Sequence, residues 1–289
     1  MSNPKQIKSN SFQNKKNYFF DGYNKDIDLS DLDEEITFVE KGSPCGELLR
    51  RYWHPVLLSE ELGELPKLIK VLGEELVLFR DKSGQIGLLH KHCAHRGASL
   101  EYGIVADCGI ICSYHGWQYD IDGTLLKAGS EPCKSPVHRR VKQGAYQTHE
   151  EEGIIFAYLG PPEHTPEFPV YDTQLDQNIK KIPFTIETPC NWLQVYENTQ
   201  DPIHVVHLHA RSSGVQFGVA SGVDQIIEYD NTPLGMINIQ TRQVDGHVWT
   251  RTTESILPNG NQTGAIWEEA ESEKFFQRTS MLRWMVPLD

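Results

Sequence analysis

CAHRGASLEYGIVADCGIICSYHGWQYDIDG, residues 93–123, contains two short pairs of metal-ligand types. Cys93-x-His95 opens it, and Cys112-x-x-His115 follows after 16 intervening residues. Thiolate and imidazole are soft and borderline ligands, so four of them on two facing turns can clamp a metal centre. Two centres suit the donors: a single zinc ion, or a pair of irons bridged by sulfide. Structural zinc sites often pair like with like, as in Cys-x-x-Cys. Here each turn supplies one Cys and one His. Two cysteines can then converge on one iron and two histidines on its neighbour, an arrangement that raises the reduction potential.

The flanking text reads as strand. LIKVLGEELVLFR (68–80) has apolar runs around a Gly-Glu turn, DKSG (81–84) is a turn, and QIGLLH (85–90) is another strand. IICSYHGWQYDIDG (110–123) repeats the logic, and GIIFAYLGPP (153–162) is a last strong strand closed by two prolines. Upstream, GSPCGELLRRYWHPV (42–56) predicts a helix. Ser43 caps it, Pro44 suits its first turn, Leu48, Leu49 and Tyr52 share a face, and Pro55 stops it. Residues from about 50 to 162 therefore read as a small all-β domain, and PPEHTPEFPVYDTQLDQN (161–178) as a boundary. Beyond it the chain reads α+β, with a near-helical stretch followed by strand-like QIIEYDN, GMINIQTRQV and HVWTRTTESIL.

That near-helical stretch, CNWLQVYENTQDPIHVVHLHA (190–210), holds Glu197, Asn198, Asp201, His204, His207 and His209. Three histidines in six residues invite a metal. On an ideal helix His204 and His207 share a face, whereas His204 and His209 diverge.

Both stretches resemble one family. CAHRGASL followed by CSYHGWQYDIDG is similar to the Rieske signature C-x-H-R-G … C-x-x-H-G-W-x-(F/Y)-D-x-x-G, and ENTQDPIHVVHLH is similar to the E-N-x-x-D-x-x-H-x-x-x-x-H motif of Rieske ring-hydroxylating oxygenase α subunits. The likeness runs from about residue 40 to 289 and is nearest to the phthalate dioxygenase-like branch. It implies an α+β chain with an all-β Rieske domain (41–165) and a partial catalytic domain of helix-grip type (166–289); the lysine-bearing polar stretch before them reads as a mobile arm (1–40). It implies that Cys93, His95, Cys112 and His115 hold a [2Fe-2S] cluster and that His204 and His209 hold a mononuclear Fe(II). It implies that Asp201 bridges the two centres across a subunit boundary, which requires a homotrimer. A helix cap before Pro202 is the plainer role for Asp201.

Smaller expectations follow. Gly97 and Gly116 stand where a side chain would crowd the cluster, Tyr114 and Trp117 shield it, and Cys108 is a plain buried cysteine. His54, His90, His92, His138, His149, His164 and His247 are surface or hydrogen-bonded histidines. His207 and Asn198 face the substrate. The family's third iron ligand, an Asp, comes later in the chain, so the sequence reads as C-terminally incomplete. Asp224, Glu228, Asp230 or Asp289 would otherwise have to substitute.

Composition narrows the function classes. The 289 residues carry a formal charge of −13, from 27 basic and 40 acidic side chains, which repels nucleic acid. No apolar run approaches the roughly 20 residues of a membrane span. Six cysteines without a disulfide pattern and no secretory signal point to the cytoplasm. The resemblance implies an oxidoreductase of aromatic catabolism that uses O2, a small carboxylated or sulfonated aromatic substrate, and electrons from an NAD(P)H-dependent flavin/iron–sulfur reductase. Two other readings remain open: a Rieske electron carrier without oxygenase activity, and a zinc-binding interaction protein.

Overall fold

The computed structural model describes residues 33–129, 131–132, 134–171, 175, 180–210, 222–264 and 279–289. Most of the polar arm expected at residues 1–40 lies outside them, as does Cys133. Residues 34–289 pack as one unit.

From Trp53 onward the chain forms β1 (Trp53–Leu58), β2 (Lys67–Val71), β3 (Glu74–Arg80), β4 (Ile86–His90) and β5 (Ile104–Val105). Then come β6 (Ile110–Ile111), β7 (Trp117–Tyr119), β8 (Leu125–Ala128), β9 (Ala145–Glu151) and β10 (Ile154–Tyr158). A six-stranded sheet has the order β1-β10-β9-β4-β3-β2, and a four-stranded sheet the order β5-β6-β7-β8. Every pairing is antiparallel.

The apolar run of β3 is continuous because both of its faces are buried. Leu76 and Leu78 join one core with Leu49, Val71, Leu88, Ile155 and Ala157. Val77 and Phe79 join the other with Leu89, Leu100, Ile110, Trp117 and Tyr119. The second core ties the four-stranded sheet, and the two metal-ligand turns with it, onto the large sheet. Trp192 and Met285 enter the first core, so residues from the later half of the chain help close the early sheet. The turn between β2 and β3 is Leu72-Gly73, one residue earlier than the expected Gly-Glu turn. Its two amides donate to the carbonyls of Pro287 and Leu288, at 2.9 Å each.

The helix after residue 42 is shorter than predicted. It spans Pro44–Leu49, with the Ser43 hydroxyl accepting from the Gly46 amide. Pro55 does not stop it; Pro55 lies inside β1, at a register shift against β10. β1 is an edge strand, where a residue without an N–H is tolerated. Leu49 is buried, but Leu48 and Tyr52 are exposed, so the predicted three-residue face carries only one core contact.

The last sheet is a meander of β11 (Ile226–Thr232), β12 (Gly235–Val244), β13 (His247–Ile256), β14 (Gly260–Gly264) and β15 (Thr279–Trp284). Its alternation is inverted: on β12 the buried residues are Asn238, Gln240 and Arg242, with Ile237 and Ile239 only partly covered. Register places Thr253 opposite Asn238, Arg251 opposite Gln240, and Arg283 opposite Asn261, so one sheet face is polar and buried. Among the described residues no helix is long and apolar enough to cross a membrane.

Candidate metal centres

The two ligand turns are built alike. The Cys93 amide donates to the Ala98 carbonyl at 2.9 Å, and the Gly97 amide to the Cys93 carbonyl at 2.8 Å. The Cys112 amide donates to the Trp117 carbonyl at 2.7 Å, and the Gly116 amide to the Cys112 carbonyl at 3.0 Å. The same i+5 and i+4 pattern closes both loops, and Gly97 and Gly116 adopt φ values of 72° and 71°. A Cβ at either glycine would meet no protein atom within 4 Å. The left-handed backbone at both positions calls for glycine by itself.

The loops bring the four residues together, thiols inside and imidazoles outside. Cys93 and Cys112 are buried beside each other, and burial pushes the Cys112 thiol above its ordinary pKa, opposed by amides of its own loop. The rings of His95 and His115 lie 4.9 Å apart at 67°. His95 stacks on buried Trp117 at 4.2 Å, nearly parallel, and Tyr114 covers His115 at 3.8 Å while itself 63% exposed. Desolvation, then the nearby His115 and Arg96, lower the pKa of His95, which favours neutral imidazole. Among the described residues no three His, Cys, Asp or Glu side chains converge as ligands of one ion would. A tetrahedral zinc needs four donors on one point, whereas a two-iron cluster needs two and two. The donor set fits the cluster.

Two supporting residues escaped the sequence reading. Gln143 donates from Nε2 to the carbonyls of His90 and His92, at 2.9 and 3.0 Å, and accepts from the Ala94 amide at 2.7 Å. It thereby staples the approach to the first loop, from about 50 residues away in sequence. Tyr119 places its hydroxyl 3.1 Å from the Cys93 Sγ. Cys108 is only partly buried, with its Sγ 3.5 Å from Asp120 Oδ1.

The second constellation follows a helix spanning Trp192–Asn198, capped by Asn191. The chain then breaks at Asp201-Pro202 and resumes as a π-helical turn over Val205–His209. A π turn closes i→i+5 hydrogen bonds, so residues five apart become neighbours. The rings of His204 and His209 accordingly lie 5.1 Å apart at 70°. His207 points elsewhere, lining a depression with Ile203, Val206, Asp224, Gln225 and Ile227. Asp201 Oδ1 accepts from the Ile203 amide at 2.9 Å, which is a capping contact, and Oδ2 lies 3.6 Å from His204 Nδ1. His204 Nδ1 also bonds the Asp201 carbonyl, which leaves Nε2 as the nitrogen with a lone pair to offer. Two imidazoles 5.1 Å apart fit a mononuclear ion.

Among the substitutes for a third ligand, Asp289, Glu228 and Asp230 stand apart. Asp289 pairs with Lys70 at 2.7 Å on the outside of β2. Glu228 and Asp230 lie opposite Ile239 and Ile237, on the sheet face away from Asn238 and Gln240. Asp224 lies with His207 at the depression. Asn198 is exposed at the end of its helix.

Comparison with known proteins gives the same picture. Residues 52–143 match the Rieske [2Fe-2S] domain. The chain is 44% identical to the tert-butanol monooxygenase / tert-amyl alcohol desaturase oxygenase subunit of Aquincola tertiaricarbonis, over 88% of this chain and 57% of that one. It is 39% identical to the phenoxybenzoate dioxygenase subunit alpha of Ectopseudomonas oleovorans, over 78% of this chain and 59% of that one. The chain thus spans a little over half the length of these relatives. Its fold is similar to that of NdmA from Pseudomonas putida CBB5, solved with caffeine, with a TM-score of 0.64, 22% identity, and 78% of this chain and 68% of that chain covered. With the paired loops and these relatives in view, the chain carries a Rieske [2Fe-2S] domain and is similar, over a little more than half their length, to oxygenase subunits of mono- and dioxygenases.

Proposed function

We propose that this chain is the terminal oxygenase component of an NAD(P)H-driven, O2-dependent system that hydroxylates or demethylates an aromatic substrate bearing a carboxylate or sulfonate. One observation carries the reading: a chain with a Rieske domain also holds two histidines, His204 and His209, in register on a π turn. An electron carrier has no use for that second pair. In this proposal Cys93, His95, Cys112 and His115 ligate the cluster of a domain over residues 41–165. His204 and His209 ligate iron in a catalytic domain over residues 166–289. Bound there, the cluster and the iron supply one-electron transfer and oxygen activation.

This chain's own residues set up that chemistry. The parallel loops hold each Cys and His at fixed distance, and Trp117 fixes the plane of His95. Asp201 holds His204 by its ring nitrogen and keeps a side chain 51% exposed, where a neighbouring subunit can reach it. That exposure supports the bridging role and a homotrimer. A flavin/iron–sulfur reductase as electron source and the cytoplasm as compartment complete the proposal.

The name of the 39% identical relative, a phenoxybenzoate dioxygenase, supports an anionic aromatic substrate. The 44% identical relative supports a second reading, a small branched alcohol. Metal analysis and oxygen uptake test the proposal together. About three irons and two acid-labile sulfides per chain are expected, against two irons for an electron carrier. Substrate-dependent O2 consumption with NAD(P)H and a reductase is expected as well; its absence from fully loaded protein rejects the oxygenase reading.

A further inference from the structure

At the break in the histidine-bearing segment, three successive carbonyls each accept a hydrogen bond from a side chain. The Tyr229 hydroxyl donates to the Gln200 carbonyl at 2.9 Å. Gln225 Nε2 donates to the Pro202 carbonyl at 2.8 Å. Between them, the Asp201 carbonyl takes the Nδ1–H of His204. Tyr229 stands on β11 and Gln225 immediately before it. The carbonyl that orients the His204 ring is thus flanked on both sides by carbonyls tied to the last sheet.

The ties continue into the buried polar face. Asn238 Nδ2 donates to Gln200 Oε1, and Gln240 Nε2 to Asn238 Oδ1, at 2.8 Å each. Arg242 Nη2 donates to Gln240 Oε1 at 3.3 Å and also to Gln225 Oε1. Arg242 is therefore the root of two branches, one ending on the Gln200 side chain and the other on the Pro202 carbonyl. A guanidinium has donors and no acceptor, so it fixes which way round each amide in both branches points. Its own place is set by Trp249, directly opposite on β13, whose ring it covers at 4.4 Å. Asn238, Gln240 and Arg242 are nearly fully buried, and burying polar groups is costly unless each is hydrogen-bonded. The branches meet that cost by joining the sheet to the break.

We propose that Gln225, Tyr229, Asn238, Gln240 and Arg242 are positioning residues for the mononuclear metal site. By clamping Gln200 and Pro202 they fix the carbonyl of Asp201, and through it the plane in which His204 offers Nε2. None of the five is itself a ligand. The inference rests on the reading of His204 and His209 as metal ligands. An imidazole that is not already oriented binds metal more weakly, because ordering it takes from the binding free energy.

The test adds Co(II) to the full chain, depleted of mononuclear iron but with its cluster intact and oxidised. An oxidised two-iron cluster is diamagnetic, so the EPR signal of high-spin Co(II) reports the histidine site alone. Gln225→Leu is expected to weaken Co(II) by about tenfold or more, the scale for groups that orient metal ligands, and to change its EPR signal. Tyr229→Phe keeps the ring and alters an exposed position. It is expected to weaken Co(II) by about fivefold, the scale of one neutral hydrogen bond. Thr263→Val is the control. Thr263 is buried on the same sheet face, with Asn261 and Arg283 as partners. Its loss is expected to lower the melting temperature and leave Co(II) affinity and signal as in the parent. Unchanged affinity and signal in both clamp variants overturns the inference. So does a weakening in Thr263→Val as large as in Gln225→Leu, the mark of a general softening of the sheet. Should Gln225→Leu not fold, Tyr229→Phe decides alone. A parent that takes up no Co(II) while its sulfide is intact rejects the oxygenase reading and the clamp with it; Co(II) bound equally by parent and variants rejects the clamp alone.

Discussion

The phenolic oxygen of Tyr119 lies 3.1 Å from the Sγ of Cys93, and both side chains are buried in the core that joins the four-stranded sheet to the large one. Burial and the Cys93 thiol together raise the pKa of Tyr119, so the phenol stays protonated and can donate to the sulfur at any physiological pH.

A donor on a ligating sulfur withdraws negative charge and favours the reduced state. Tyr119→Phe removes the donor and keeps the ring. The cluster is expected to assemble in full, with its reduction potential lowered by on the order of 50 mV, close to a tenfold change in a one-electron equilibrium. Protein-film voltammetry against the parent reads the shift. An unchanged potential would show that the phenol has no electronic role.

Gly97 and Gly116 separate two accounts of the loops. Both have φ near 70° and open space where a Cβ would stand. Alanine at either position is expected to destabilise by about 1–2 kcal/mol through backbone strain alone. That is a fall of a few degrees in melting temperature for a chain of this size. The visible spectrum and sulfide content of both variants are expected to match the parent. Loss of the cluster at normal melting temperature would support the crowding account instead.

The ligand turns were legible because each is a local unit: Cys, His and Gly within five residues already define a loop. The alternation of β12 and β13 was legible as strand, but not which face is buried. Asn238, Gln240 and Arg242 alternate with isoleucines, and pattern alone assigns the polar set to water. Arg251 and Arg283 are 32 residues apart in sequence, and only cross-strand register brings them to one face. Gln143 was invisible for the same reason. Pro55 read as a helix stop because an edge strand cannot be told from a helix end by a proline alone.

The histidine pair was ambiguous for a different reason. Helical periodicity favours His204 with His207, and the family motif favours His204 with His209. The π turn places residues five apart side by side, which supports the second pairing. His204→Ala and His209→Ala are each expected to lower iron from about three to about two per chain and leave sulfide unchanged. His207→Ala is expected to keep all the iron. Elemental analysis of the three variants decides, and iron loss in His207→Ala alone would assign the site to the other pair.

His54 makes a prediction about acid. It is fully buried, with Nε2 2.7 Å from the Leu49 carbonyl and Nδ1 3.2 Å from Asn259 Nδ2, so the neutral ring joins the Pro44–Leu49 helix to the segment before β14. Desolvation above all lowers its pKa from 6.5 to about 4. The unfolded chain therefore binds a proton near pH 6.5 that the folded chain refuses until about pH 4. The stabilisation is fully present above pH 6.5, falls as pH drops through that window, and changes no further below it. The loss amounts to about 3 kcal/mol at most. His54→Gln removes the titrating ring. Its denaturant midpoint is expected to be lower at pH 7.5 but to fall less steeply between pH 6.5 and 4 than that of the parent. Parallel curves for the two proteins would assign the acid sensitivity to other groups.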